Sequence, residues 1–279
     1  MEPFLPPEDY VYFESHPAFV AREAVALHAK NKRFLAIDGG NNVAGIGWHY
    51  GPLRFARFTS DAEPNPKVTA STSLLWQRIT RTDVPKGWRR AYFASANTRT
   101  GVSLVHPEQT PKEYRSIWNE NMRRQAKKWD HSGAIIREID YATYCARSQQ
   151  STLPKHLISV FDFQLKEKII GHGDHVRIIG AYSAREEFLG AFASVDIPEC
   201  QASLHLSSYL LPAGQQEYAG VGLMDAWWKH AQKHNVRYLE FGLFWRKHEP
   251  RSWRGFSRFK AQFGTKIYDY PPLLKRRIP

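Results

Sequence analysis

From Val176 to Tyr270 the sequence switches repeatedly between strand-like and helix-like patterning, and this switching restricts the chain to a sheet with helices packed on it. Val176–Ser183 and Phe188–Pro198 are apolar runs separated by Ala184-Arg185-Glu186-Glu187, which reads as a hairpin. Ala202–Leu211 reads as a third strand. After a loop, a helix is expected from about Tyr218 to Asn235, a strand over Val236–Phe244, a helix or turn over Arg251–Phe263, and a strand over Ile267–Tyr270. That order, three strands and then helix, strand, helix, strand, belongs to the α/β (α+β) class.

The first half reads less regularly. Apolar residues at helical spacing predict a helix over His16–Lys30. Lys32–Phe58 contains two apolar runs around Asp38-Gly39-Gly40-Asn41-Asn42, a hairpin turn signal. Ser60–Lys67 is expected to be loop, Thr69–Arg81 helix, and Arg89–Ser95 and Gly101–His106 strands. A long helix is expected over Glu108–Trp129, because Thr110, Pro111 and Glu113 form a capping box with proline in the first turn. Ala134–Glu138 reads as a short strand, and Tyr141–Ser148 and Lys155–Gly171 as helices. A linker near Asp130–Gly133 would divide the 279 residues into halves of 1–130 and 131–279.

Charge is concentrated at one end. Lys229–Pro279 holds 13 Lys/Arg against 3 Asp/Glu, which is +10 of the formal +12. Lys112–Lys128 adds a second cluster of six basic and two acidic residues. Such patches attract phosphates, whether of a cofactor, a nucleic acid or a lipid-linked substrate. In the C-terminal cluster the charges alternate with Phe244, Trp245, Trp253, Phe256, Phe259, Phe263, Tyr268 and Tyr270, a pattern that suits either a stacking groove or a strand pair with one buried face. The N-terminal residues MEPFLPPEDY do not read as a signal peptide, and no apolar run reaches the length of a membrane span. A cytoplasmic protein is therefore expected.

Several familiar chemistries lack support. Cys145 and Cys200 cannot form a disulfide framework, and no GxSxG motif occurs. His172 and His175, and His230 and His234, are spaced like ligand pairs, but no third and fourth ligands are identifiable, so no metal is expected. Asp38-Gly39-Gly40-Asn41 reads as a hairpin turn. The best local signal is Leu211–Leu223, which follows a strand and opens a helix, with Gly220 and Gly222 in the first turn. Backbone N–H groups of Ala219, Gly220, Val221 and Gly222 could approach a pyrophosphate there, or the glycines could serve close helix–sheet packing. The second signal is Tyr238–Gly242 (YLEFG) followed by Pro250–Gly264 (PRSWRGFSRFKAQFG).

Together these segments resemble the C-terminal domain of FemABX-type peptidoglycan bridge aminoacyltransferases, relatives of the GNAT-like N-acyltransferase superfamily. The resemblance rests on His205–Pro212 (HLSSYLLP), the glycine-bearing turn and helix Gly220–His234, the strand Leu239–Gly242, the F-K-x-x-F-G run Phe259–Gly264, and Tyr270–Pro271. Tyr114–Trp129 and Phe34–Gly47 extend it more weakly into the first half. Glu240 stands where the family often has Asp, and Glu217 where simple GNAT enzymes carry Arg or Gln. The resemblance implies two GNAT-like halves with mixed, mostly antiparallel sheets flanked by helices. It implies transfer of an acyl or aminoacyl group to an amine, with Phe259 and Lys260 in the family's Phe-Lys pair and Lys260 stabilising charge. Acyl-CoA or aminoacyl-tRNA would be the donor substrate, with no tightly bound cofactor; tRNA is a possible partner and an amine the acceptor.

Amide formation from an activated ester passes through an oxyanion, which a fixed lysine can stabilise. The attacking amine must lose a proton, and Glu217 or Glu240 is a candidate acceptor. Arg254 and Arg258 are candidates for binding donor phosphates. The alternative reading is a non-catalytic protein that binds RNA or another anionic partner through the basic C-terminal segment.

Overall fold

The computed structural model describes residues 12–68, 71–91, 99–245, 251 and 254–279. It has a mixed α/β architecture of two mostly antiparallel sheets with helices against them. The chain forms two compact units. The first comprises the described residues up to Thr100 together with Ile170–His172 and Ile267–Pro279, and the second comprises Gly101–Ile169 and Gly173–Lys266.

In the first unit, α1 (Pro17–Lys30) precedes strands β1 (Phe34–Asp38), β2 (Ala44–Tyr50), β3 (Leu53–Thr59), β4 (Thr72–Gln77) and β5 (Arg89–Arg90). Pro17 occupies the first helical position of α1, where its missing N–H costs nothing. The β1–β2 turn forms where the sequence signalled it: the Asp38 carboxylate accepts the Gly40 N–H (2.8 Å), and Gly40, Asn41 and Asn42 all take positive φ. The sheet order is β1-β2-β3-β4-β13-β5, with β13 at Leu274–Ile278. Its core gathers Ala56, Phe58, Leu74, Trp76, Trp88 and Leu274.

Thr69–Arg81 is not a helix. Its described part forms the strand β4, with Thr72, Leu74 and Trp76 buried in alternation. A period of two fits those residues as well as a helical period does. Pairing on both sides, parallel with β3 and antiparallel with β13, decides the outcome. Of the strand expected over Arg89–Ser95, only Arg89–Arg90 is described as strand, and residues 92–98 lie outside the described set. The strand β13 is an addition that the sequence reading missed.

The second unit contains β6 (Arg99–Leu104, which begins in the first), α2 (Pro111–Tyr114), α3 (Glu120–His131), β7 (Ile135–Glu138), α4 (Tyr141–Ser148), α5 (Lys155–His172, whose last three residues belong to the first), β8 (Val176–Tyr182), β9 (Phe188–Ile197), β10 (Ala202–Leu210), α6 (Pro212–Gln216), α7 (Ala219–Lys233), β11 (Tyr238–Leu243) and α8 (Arg254–Lys260). The order of its sheet is β12-β6-β11-β10-β9-β8-β7, where β12 is Lys266–Asp269. The alternation along β9 shifts at Leu189, which the pairing with β8 skips between Phe188 and Gly190. Leu189 and Phe192 join a core with Trp118, Trp129, Trp227 and Trp228 from α3, α7 and the segment between α2 and α3, while Ala191 and Ala193 join Tyr144 and Leu165 of α4 and α5.

The expected helix over Glu108–Trp129 is broken. The capping box at Thr110 and Glu113 is present, but helical geometry ends in a 3-10 turn at Arg115–Ile117 and Trp118 is extended. Asn119 then caps a new helix, its side chain accepting the Met122 N–H at 2.9 Å. The break lets Trp118 reach the core, where it is 1 % exposed. No helix among the described residues is long and apolar enough to cross a membrane.

Helices α3 and α7 pack closely at Gly222, where an added Cβ would overlap the Trp129 ring. Gly222→Ala is therefore expected to destabilise the protein by about 1–3 kcal/mol, the usual cost of overpacking. A denaturant midpoint equal to that of the parent chain would contradict this packing role.

Candidate functional site

Three segments of the second unit converge around Lys260. The first is the end of β11, where Phe241 carries its ring into the core beside Trp227 (5.2 Å between centroids). Gly242 follows, still within β11, with φ +65°, a left-handed conformation that favours glycine. The second segment is α8, whose sequence RGFSRFK places Phe259 and Lys260 at its C-terminal end. The third is β10, which contributes His205.

Lys260 Nζ donates to the Phe241 carbonyl at 2.6 Å. Its ammonium is half-buried, and burial pushes its pKa down to about 8. The His205 ring is stacked on Phe192 (5.0 Å, 23°) and its Nε2 lies 3.2 Å from Ser208 Oγ. Burial holds the His205 pKa well below its ordinary value, the Lys260 charge adds to the depression, and a hydrogen bond to the Phe241 backbone opposes it. His205 is thus a neutral imidazole beside a lysine near its titration point. It is the one group in this cluster that the sequence reading did not single out: it stands inside HLSSYLLP, but nothing in that run indicates that its ring turns toward α8.

Phe259 packs edge-on to Phe263 (5.0 Å, 73°) and also meets the start of α7. A Cβ built on Gly220 would lie 3.3 Å from the Phe259 ring and 3.2 Å from Leu210. The Phe-Lys pair and the glycine-bearing turn are therefore neighbours. Tyr218 sets up the turn in a left-handed conformation (φ +61°), and its carbonyl accepts the N–H groups of Val221 (3.0 Å) and Gly222 (3.3 Å). Ala219 and Val221 are buried, and Gly222 lies under Trp129 as described above.

The remaining sequence candidates spread out from this centre. Glu240 is 1 % exposed, and strand alternation places it on the sheet face opposite Leu239 and Phe241. Glu217 is half-buried at the end of α6, its N–H donating to Ala213 O at 3.0 Å. Arg254 is exposed and its guanidinium lies 4.1 Å from the centre of the Trp245 ring; Arg258 is exposed on the same short helix. The aromatic residues interleaved with the C-terminal charges mostly serve packing, since Phe244, Phe263, Tyr268 and Tyr270 are buried. Trp253 lies outside the described residues.

Helix α3 supplies more positive charge. It buries Met122, Ala126 and Trp129 and exposes Arg123, Arg124, Lys127 and Lys128. Lys128 Nζ reaches Tyr218 OH at 3.0 Å, which brings the basic face to the start of α7. The two histidine pairs are occupied otherwise: His172 Nε2 lies 2.6 Å from Glu23, and His230 Nε2 lies 2.6 Å from Asp196.

No family model matches the sequence, and no curated protein matches it either. Solved structures do match. FemX superposes with a TM-score of 0.70 over 96% of this chain and 93% of its own, at 9% identity. The C-terminal domain of an Agrobacterium fabrum protein described as a lysylphosphatidylglycerol synthetase superposes with a TM-score of 0.51, over 92% of this chain and 87% of that one, also at 9% identity. At such identities the likeness shows the fold: this chain has the fold of FemX.

Proposed function

We propose that the protein is an N-acyltransferase of the FemABX-like, GNAT-related type, which passes an acyl or aminoacyl group from an activated donor directly to an amine. The observation that carries this reading is the placement of Lys260, whose half-buried ammonium lies beside Phe241 and His205, with Phe259 against the turn at Gly220. Attack of an amine on a thioester or ester carbonyl forms a tetrahedral oxyanion, and the Lys260 ammonium can donate to it as the charge develops. Collapse then releases the thiol or the ribose hydroxyl. The proton shed by the amine needs an acceptor, and the neutral His205 imidazole joins Glu217 and Glu240 as a candidate. No covalent enzyme intermediate is required. The names of the structural neighbours support this reading, since FemX bears the name of the aminoacyltransferase group and the second neighbour that of a synthetase of an aminoacylated lipid.

The donor carries phosphates in either form, acyl-CoA or aminoacyl-tRNA. The exposed bases of α3, with Arg254 and Arg258, would attract them. A panel of CoA thioesters and aminoacyl-tRNAs tests the reading. A true donor at about a hundred times its Kd stabilises the fold by about 2.7 kcal/mol, and it is consumed when an amine is added. If uncharged RNA binds as tightly as charged tRNA, with a steep salt dependence and no consumption of any donor, the acyltransferase reading fails.

A further inference from the structure

The first unit contains a hollow of about 420 Å³, within the size range of small-molecule sites, and no step proposed above uses it. The β1–β2–β3 register explains how it forms. Leu35 pairs with Gly47, and His49 pairs with Arg54 on the next strand. Alternation therefore puts Leu35, Ile37, Gly47, His49 and Arg54 on one face of the sheet. The rings of Phe34, Trp48 and Phe55 take the other face, with Trp48 and Phe55 stacked at 5.6 Å. Gly47 has no side chain to fill the middle strand, and the Ile37 side chain leans over it; a Cβ at Gly47 would overlap the Ile37 δ-methyl. The missing side chain makes the floor of the hollow both low and aliphatic.

The wall opposite is the loop that carries Lys67 and Val68. Its stretch before Lys67 is tied to the sheet by hydrogen bonds that involve no ligand. Asn65 N–H donates to Gly39 O at 2.7 Å, and Glu63 accepts from Trp88 Nε1 (2.8 Å) and Arg276 (2.7 Å). The hollow is thus a built feature of the unit. Leu35 remains 51 % exposed at its rim, a large aliphatic side chain left in water. Cations outnumber carboxylates among the described lining residues. Arg54 and Lys67 are exposed cations and His49 stands beside Arg54, whereas Asp38 already accepts the Gly40 N–H.

We propose that this hollow binds a small amphiphile with an unbranched aliphatic body and one carboxylate, the body lying on Leu35, Ile37 and Val68 and the carboxylate facing Arg54 and Lys67. Aliphatic floor and cationic rim select these two parts separately. A neutral chain would leave the cations unmatched, and a bare anion would leave Leu35 in water. The planar guanidinium of Arg54 suits a carboxylate in two-point contact.

Octanoate titrated into the full-length protein, followed by calorimetry or by amide chemical shifts, tests this proposal. Saturable binding is expected, with shifts at Leu35, Gly47 and Val68. The double variant Arg54→Ala, Lys67→Ala should weaken it at least about tenfold, as expected for loss of charge-assisted hydrogen bonds. Both positions are exposed, so the variant retains the fold. Acetate, which lacks the body, and octylamine, which reverses the charge, should each bind far more weakly. Absence of saturation by octanoate overturns the proposal, as does unchanged affinity in the double variant. Acetate or octylamine binding as well as octanoate would overturn it too.

Discussion

Replacing Lys260 with alanine is expected to reduce turnover by a factor of about 100 to 1,000 while leaving the fold in place. That is the usual effect of removing one donor to a developing oxyanion, about 3–4 kcal/mol of transition-state stabilisation. The loss should fall on kcat rather than KM, because the charge on the carbonyl oxygen appears only as the amine attacks. The structure also fixes the pH behaviour. With its pKa pushed down to about 8, Lys260 is protonated below that value and loses its charge above it. If the ammonium is the working form, turnover falls as pH rises through about 8. A Lys260 acting as base would instead give rates that rise through the same range. Stability moves in the other direction. The unfolded lysine binds its proton more tightly than the folded one, so unfolding takes up protons between about pH 8 and the ordinary lysine range, and stability increases with pH across that window. Unchanged kcat in Lys260→Ala would remove the mechanism proposed here.

The largest stability effect is expected at Asp225. This carboxylate, 2 % exposed on α7, accepts Tyr114 OH and Arg115 Nε, both at 2.7 Å, and pairs with Lys229 Nζ at 2.8 Å. Arg115 also holds Asp130 through both terminal nitrogens. One buried charge therefore ties the α2 segment and the end of α3 to α7. Asp225→Ala should destabilise the protein by about 2–4 kcal/mol, because it leaves the buried Tyr114 hydroxyl and the Arg115 Nε–H without their acceptor, although Asp130 still pairs with the rest of the guanidinium. The exposed Lys229 arm contributes little to that total. Changing Asp225 to Leu and Arg115 to Met together should recover much of the loss, since an apolar pair needs no partner. Burial raises the Asp225 pKa, but the hydrogen bonds from Arg115, Lys229 and Tyr114 outweigh it and hold the carboxyl below its usual range. Its contribution is then present at neutral pH and lost as pH falls through that lowered value. A variant with a near-parental urea midpoint would show that the cluster is not a structural tie.

Local signals read from the sequence held where one strong physical cue decided the outcome. The Asp38–Asn42 turn and the capping box at Thr110 formed as expected because each is settled by a few adjacent groups. The helix expected over Tyr141–Ser148 has those bounds, and Asp140, a cap not read from the sequence, closes its first turn by accepting Thr143 N–H at 2.7 Å. Where two periodicities competed, distant partners decided. Residues 72–77 are a strand because β13, about 200 residues later, pairs with them. Trp118 breaks a helix because the core has room for its indole, and no neighbour in sequence announces this. The candidate site divides in the same way. The Phe259–Lys260 pair was visible through its resemblance to a known pattern, and the structure brings it to Gly220. The turn of the His205 ring toward Lys260 depends on β10 and α8 together, and single-sequence periodicity carries no information about it.

The position of β13 has a consequence for synthesis. This strand lies inside the first unit's sheet, between β4 and β5, and Leu274 belongs to that unit's core. A ribosome therefore releases β1 to β5 well before the strand that joins them exists. Until Gly101–Lys266 has been made, β4 lacks β13, which pairs with it in the folded unit. At about 5–20 residues per second that delay is of the order of ten seconds or more. During it the edge of β4 that β13 later covers is open to wrong pairings.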